Sequence, residues 1–233
     1  ENVSAKIFTI MSTKTLWRKI KSAVKFEEIS LPKDPFELLI GTIISQHTRS
    51  FIVKTTMNNL RKICKITPQS IMSTNTHDIE EALKPAGLYK IKSRKMKELS
   101  QVLIEKYNGD ILQILNQPVE IARKLLLELP GIGDKTADIL LSVSGKGRMV
   151  PIDTNINRIA HRIGIVPPKS KYHTVQNEIL KLIGKDDPFV SHLILIRFAW
   201  QYCKPINPKC NKCPVSQYCN YYKTKSLTKS SND

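Results

Sequence analysis

Four of the five cysteines in this 233-residue chain fall within seventeen residues: Cys203, Cys210, Cys213 and Cys219, spaced C-x6-C-x2-C-x5-C. Loops of these lengths let each sulfur turn inward, so that four thiolates can surround one centre. A segment closed that way folds around its metal group rather than around a large apolar core. The spacing predicts an iron–sulfur site or a zinc site and by itself leaves both open. A secreted disulfide scaffold fits poorly, because such scaffolds are short and spread their cysteines through the chain. Cys64 stands apart in an apolar helical stretch and reads as a buried core thiol. This usage points to a reducing, intracellular compartment: cytoplasm or nucleoid, or the nucleus of a eukaryote.

The charge narrows the partners. Lys and Arg number 37 against 20 Asp and Glu, a net +17. A solubilising surface needs a magnitude of only roughly 2–8, so the excess points to a polyanion, nucleic acid rather than membrane. No apolar run approaches the ~18 residues of a spanning helix. No basic-then-apolar leader pattern opens the chain. At 41% hydrophobic content, the length suits one large domain or two small ones.

The apolar periodicity is helical throughout. Asp34-Pro35-Phe36-Glu37 carries a helix start: an Asp cap, Pro at the first helical position, and a Glu able to reach back. Phe36, Leu39, Ile40, Ile43 and Ile44 follow at helical spacing. Further helices are predicted over 50–64, 76–84 (stopped by Pro85-Ala86-Gly87), 91–107, 118–129, 134–144, 154–163, 172–183 and 188–202. Within 91–107, Lys92, Arg94, Lys95 and Lys97 are expected to be exposed and, with Lys90, to face phosphates. No stretch alternates as a strand does. His77, His161, His173 and His192 form no metal-ligand pair and read as structural, and Trp17 and Trp200 as core. The Lys-, Ser- and Thr-rich end, 220–233, reads as a disordered tail.

A second strong signal lies at 120–144. Leu125 to Leu129 end one helix, Pro130-Gly131-Ile132-Gly133 make a tight turn, and Asp134-Lys135-Thr136-Ala137-Asp138 begin the next helix at once. Amides at the start of that helix have no partner within it and can hold an anion such as a DNA phosphate, without reading a base. An ordinary helical hairpin would use the same glycines as a C-cap, and the turn alone does not choose between the two.

The stretch resembles the helix–hairpin–helix motif of the endonuclease III family of DNA glycosylases, and the likeness spans roughly 30–220. Pro35-Phe36-Glu37-Leu38-Leu39-Ile40, Gly87-Leu88-Tyr89, Leu129 to Ala137, Ile152-Asp153-Thr154 and the four cysteines occur in the family's order. The resemblance implies an all-α, two-lobed fold with a [4Fe–4S] cluster held by Cys203, Cys210, Cys213 and Cys219. A bundle over 34–148 would carry the hairpin, and 1–33 with 149–219 would form the cluster domain. The active site would be the cleft between them.

It also implies a monomeric base-excision repair enzyme acting on duplex DNA that contains damaged bases or abasic sites. Such an enzyme would remove oxidised or ring-damaged pyrimidines and cleave the abasic strand by β-elimination. Lys135 would be its nucleophile and Asp153 its catalytic carboxylate. An amine attacks only when neutral, and a helix N-terminus and a dry wall both disfavour an ammonium. Asp153 also reads as the N-cap of the 154–163 helix, which would hold its carboxylate in place.

Gln46 and His47 lie where the family fills the gap left by a flipped base. Relatives often carry Gln at the position of His47, so either side chain could enter the stack. Leu88 is a candidate apolar wedge, Gly131 and Gly133 are candidate phosphate contacts, and Lys204, Lys209 and Lys212 could grip the backbone from the cysteine loop. The alternatives are a monofunctional mismatch glycosylase, whose members typically lack Lys at position 135, and a non-catalytic DNA-binding iron–sulfur protein.

Overall fold

Every regular element among the described residues is helical, as the 3.6-residue periodicity predicts, and no strand forms there. The computed structural model describes residues 3–25 and 31–224. The chain divides into two units, residues 29–147 and residues 1–28 with 148–233.

The 29–147 unit begins with helix α2, Pro35–Ser45, and continues through α3 (Ser50–Ile63), α4 (Pro68–Ser73) and α5 (Thr76–Leu83). A 3-10 turn at Lys84–Ala86 leads into α6 (Tyr89–Tyr107), then α7 (Leu112–Leu115), α8 (Val119–Leu127) and α9 (Asp134–Val143). Asp34 caps α2 as expected, its Oδ1 accepting from the Glu37 amide at 2.7 Å. Glu37 does not reach back to close a capping box. Its carboxylate accepts instead from Arg61 Nε on α3 at 2.6 Å. α2 is nearly all apolar because it runs through the middle of the unit: Leu39, Ile40, Ile43 and Ile44 have no exposed surface. α3, α6 and α9 pack against it, and Leu60, Ile71, Leu83, Met96, Leu99 and Leu103 from α3 to α6 are likewise fully buried. Each fully buried side chain of this size contributes roughly 1.5–3 kcal/mol.

Cys64 is not a core residue. It caps the C-terminus of α3 half-buried, and burial raises its thiol above the usual range despite the opposing effects of Thr74 and Lys97.

The other unit packs α1 (Val3–Ser22) with α10 (Thr154–Ile163), α11 (Tyr172–Ile183) and α12 (Pro188–Gln201). Trp17, Ile20, Ile156, Ile159, Val175, Ile179, Leu195 and Phe198 form its core, and Val215 joins them from the cysteine loop. Trp17 Nε1 donates to Asp186 at 2.8 Å, and Lys21 Nζ reaches the same oxygen, fastening α1 to the α11–α12 turn. Trp200 departs from the core expectation. It is 53% exposed on the outer side of α12. Residues 220–224 form a helical turn rather than the start of a tail, and the rest of that predicted tail lies outside the described residues.

One buried ion-pair group sets the angle of the α8–α9 hairpin. Arg123 on α8 donates through Nε to Asp138 at 2.9 Å and through a terminal nitrogen to Asp134 at 2.6 Å, both on α9. The Asp138 side chain has no exposed surface. Removing one partner of a buried pair leaves a stranded charge and costs about 3–5 kcal/mol. Because Asp138 keeps further partners, Arg123→Met is expected at the lower end, about 3 kcal/mol, read as a fall in the urea midpoint. An unchanged midpoint would mean that packing alone holds the hairpin.

Candidate functional site

The hairpin turn depends on Gly131. Its φ of +77° lies in the left-handed region, and a Cβ there would stand 3.3 Å from Lys95 Cδ. Ile132, buried in the turn, donates its amide to Leu129 O at 3.2 Å, while Gly131 and Gly133 remain exposed. α9 starts immediately afterwards, and Gly133 O accepts from the Thr136 and Ala137 amides. The Lys135 amide, in the first turn, has no acceptor within the helix. Lys135 sits in that turn, half-buried.

Two loops of the same unit stand with the hairpin. Gln46 follows α2, and its Oε1 accepts from Lys95 Nζ at 3.1 Å; the Lys95 stem packs on Gly131. His47 is exposed with φ +57°. Leu88 caps the start of α6 with φ +51° and is 52% exposed. Left-handed backbone is uncommon for residues with a side chain and persists where the surroundings impose it. The structure thus brings Gln46, His47, Leu88, Gly131, Gly133 and Lys135 together in one unit.

The basic run on α6 does not form the exposed row expected from the sequence. Lys92 is only 2% exposed. Lys97 is half-buried and donates to Met72 O at 3.0 Å and Thr74 O at 2.6 Å. Lys95 is half-buried against Gln46, leaving Lys90 and Arg94 on the surface. The reason is periodicity. Lys92 shares its helix face with Met96, Leu99 and Leu103, at steps of four, three and four residues, so it points inward.

Asp153 lies in the other unit, as the N-cap of α10. Oδ1 accepts from the Ile156 amide at 2.8 Å and Oδ2 from Asn155 Nδ2 at 2.8 Å. Asn155 in turn accepts from Arg158 at 2.9 Å. The extended segment before it is pinned from three sides: Gln176 donates to Val150 O, Tyr172 Oη accepts from the Ile152 amide, and the His192 ring bonds Pro151 O at 2.7 Å. Sequence reasoning read His192 as structural and missed Gln176. A buried Gln on the apolar face of α11, beside Val175 and Ile179, is the signal that could have found it.

Cys203, Cys210, Cys213 and Cys219 wall one apolar pocket together with Ile159, Phe198 and Val215. Burial, aided by the neighbouring sulfurs of Cys219, Cys203 and Cys210 and opposed by the Val215 backbone, pushes the Cys213 thiol up to about 11. Burial likewise raises Cys219. Half-buried thiols raised in this way, as at Cys213 and Cys219, need a cationic centre to become thiolates. Arg162 clasps the loop, donating to Lys204 O at 2.7 Å and Pro205 O at 2.9 Å, approaching Cys203 Sγ at 3.6 Å, and stacking on Tyr221. Lys204, Lys209 and Lys212 are all exposed on this loop. Among the described residues, no group of three His, Cys, Asp or Glu side chains is arranged to hold a single metal ion.

A helical hairpin with a glycine turn and a first-turn lysine, among described residues whose regular elements are all helical and which include a four-cysteine loop after α12, defines a helix–hairpin–helix protein. Residues 40–185 match the family described as HhH-GPD superfamily base excision DNA repair protein. The chain is 32% identical over 190 residues to endonuclease III of Thermotoga maritima, spanning 82% of this chain and 84% of that one. With endonuclease III of Bacillus subtilis it shares 29% identity over 187 residues, 80% and 81% of the two chains. A solved endonuclease III, trapped as a covalent intermediate with DNA, superposes with a TM-score of 0.80 at 26% identity, over 94% of this chain and 99% of that one. The chain belongs to the HhH-GPD superfamily and, within it, to the endonuclease III family.

The cap role of Asp153 can be tested by itself. Asp153→Ala is expected to cost about 1 kcal/mol, the usual loss for an N-cap, whereas Asp153→Asn retains an acceptor for the Ile156 amide and unfolds close to wild type. Equal melting temperatures for all three proteins would mean that the cap holds nothing in place.

Proposed function

We propose that this protein is a base-excision repair enzyme that removes oxidised or ring-damaged pyrimidines from duplex DNA and then cleaves the abasic strand by β-elimination. The observation that carries the reading is Lys135, a primary amine in the first turn of the hairpin helix of an endonuclease III family member. The damaged nucleotide is first swung out of the stack. Lys135 Nζ then attacks C1′, and a C1′–N bond forms as the bond to the base breaks. The departing base takes the electron pair and acquires a proton. Nζ loses a proton and the sugar ring opens, leaving a Schiff base between Nζ and C1′. Loss of a C2′ proton then expels the 3′ phosphate, breaking the C3′–O3′ bond.

Asp153 is the proposed carboxylate of this reaction. It assists deprotonation of the amine and opposes the positive charge that grows on the sugar. Its two acceptor contacts hold it in one orientation. Turn amides beside Gly131 and Gly133 are proposed to hold a phosphate, and Lys204, Lys209 and Lys212 to add backbone contacts. Gln46 or His47, with Leu88, would occupy the space vacated in the duplex.

Cys203, Cys210, Cys213 and Cys219 are the proposed ligands of a [4Fe–4S] cluster. Zinc would need four sulfurs about 2.3 Å from one point. A walled apolar pocket suits a larger group better, and family membership favours the cluster. When bound it supplies the charge that the four thiolates require and fastens a loop with little core of its own. Free cysteines and a DNA substrate fit a reducing, intracellular compartment.

A monofunctional glycosylase would not need Lys135. Borohydride reduction traps the Schiff base, so the wild type is expected to give a protein–DNA adduct on a damaged duplex and Lys135→Gln none. A variant that still traps would move the nucleophile elsewhere. The wild type is expected to be yellow-brown as purified. Cys213→Ser should lose that absorption and, with it, both thermal stability and DNA affinity. A colourless wild type, or a cluster-free variant with normal affinity, would remove the cluster from the DNA-binding role.

A further inference from the structure

Lys92 is a lysine only 2% exposed, and its Nζ meets three oxygens, none of them a carboxylate. Its Nζ donates to Ile44 O at 2.9 Å, Thr48 Oγ1 at 2.7 Å and Ala86 O at 2.9 Å. An ammonium has three donors, and all three are used. Ile44 O belongs to the last turn of α2, where carbonyls lack helical partners and the helix end carries partial negative charge. Ala86 O ends the 3-10 turn after α5. Thr48 closes the ring, its Oγ1 donating to Ala86 O at 2.7 Å.

These acceptors come from two loops. Ile44 and Thr48 bracket Gln46 and His47, and Ala86 stands two residues before Leu88. Both loops hold a side-chain-bearing residue in left-handed backbone, His47 at φ +57° and Leu88 at φ +51°. Conformations of this kind are strained and need surroundings that enforce them. A methionine in the same slot would fill the space without the expense of burying a charge. What the ammonium alone can do is bind three oxygens on two loops at once.

We infer that Lys92 is a positioning residue for base extrusion: it locks the 44–49 and 84–88 loops in one mutual geometry, so that Gln46 or His47 and Leu88 enter the duplex as a set. This rests on the functional reading above, in which those side chains occupy the DNA stack. Burial lowers the affinity of this amine for its proton, with Lys95 adding to the effect. The three oxygen contacts favour the protonated form and so oppose that loss.

The test compares Lys92→Met and Thr48→Val with wild type. Thr48→Val removes the loop-to-loop hydroxyl bond and one Lys92 acceptor at a half-buried position, and remains informative if Lys92→Met fails to fold. Three readouts are taken: amide hydrogen exchange over 44–49 and 85–90, base release from a duplex with one damaged pyrimidine, and cleavage of a single-stranded abasic oligonucleotide, which requires no extrusion. Exchange in both loops should quicken while the rest of the helical unit stays protected. Base release from duplex should fall by on the order of a hundredfold, the loss that about 1 Å of misplacement can impose, and single-strand cleavage should fall much less.

In a Lys135→Gln background, 2-aminopurine beside the lesion should brighten less when Lys92→Met is added. Folded variants with wild-type loop protection and wild-type base release would overturn the inference. So would equal losses on duplex and single strand, since a general structural defect acts on both. If wild type released no base from any duplex, the functional reading would fall, while the exchange data would still report whether Lys92 joins the loops.

Discussion

An α-helix leaves four amides unpaired at its start and four carbonyls unpaired at its end. In an all-helical chain these are the main backbone groups free to bind anything else. The proposed chemistry of this protein sits almost wholly on them. Lys135 and the glycine turn lie at the start of α9, and Asp153 is the cap of α10. Gln46 follows the last turn of α2, and Leu88 stands at the entry to α6. Arg162 reaches from the last turn of α10 to carbonyls of the cysteine loop. Placing a function at helix ends makes each end a point to be fastened, and much of the buried polarity of the molecule does that fastening.

The fasteners differ in kind. Arg123 uses a planar fork to reach two carboxylates on α9 and so fixes an angle between helices. Lys92 uses a compact ammonium to gather three oxygens that no fork could reach at once. Gln176, Tyr172 and His192 pin an extended segment with neutral hydrogen bonds, each to a different backbone group of 150–152. Buried polar groups of this sort are costly if any partner is lost, which is also why they define one geometry.

Most of the fold was legible in the sequence because helical periodicity and caps act locally. Asp34 and Asp153 cap where their sequences predict, and α10 and α11 occupy the residues that the periodicity predicts. The hairpin was legible because only a few residue types permit that turn. Two of the errors have a common source: charge and aromatic character were read as surface or core without the helix face. Lys92 belongs to the apolar stripe of α6 despite its charge, and Trp200 lies off the apolar face of α12 despite its ring. The pairing of Thr48 with Ala86, 38 residues apart, leaves no periodic trace and could be seen only in the folded chain.

The same distinction changes what the net charge of +17 means for DNA. Affinity from counterion release depends on cations that can reach phosphates, not on the sum over the sequence. Lys92 and Lys97 are committed to internal carbonyls, Arg123 to Asp134 and Asp138, Arg158 to Cys203 O and Asn155, and Arg162 to the cysteine loop. Carboxylates hold others at the surface, as with Lys21, Arg61, Lys84 and Lys181. Lys204, Lys209 and Lys212 are different, exposed on a loop that Arg162 clasps and Val215 anchors, and that the proposed cluster would close. A cation on such a loop keeps its position only while the loop is closed. The proposed thiolate ligands and the proposed phosphate contacts would therefore be two consequences of one local structure, although they lie on different atoms.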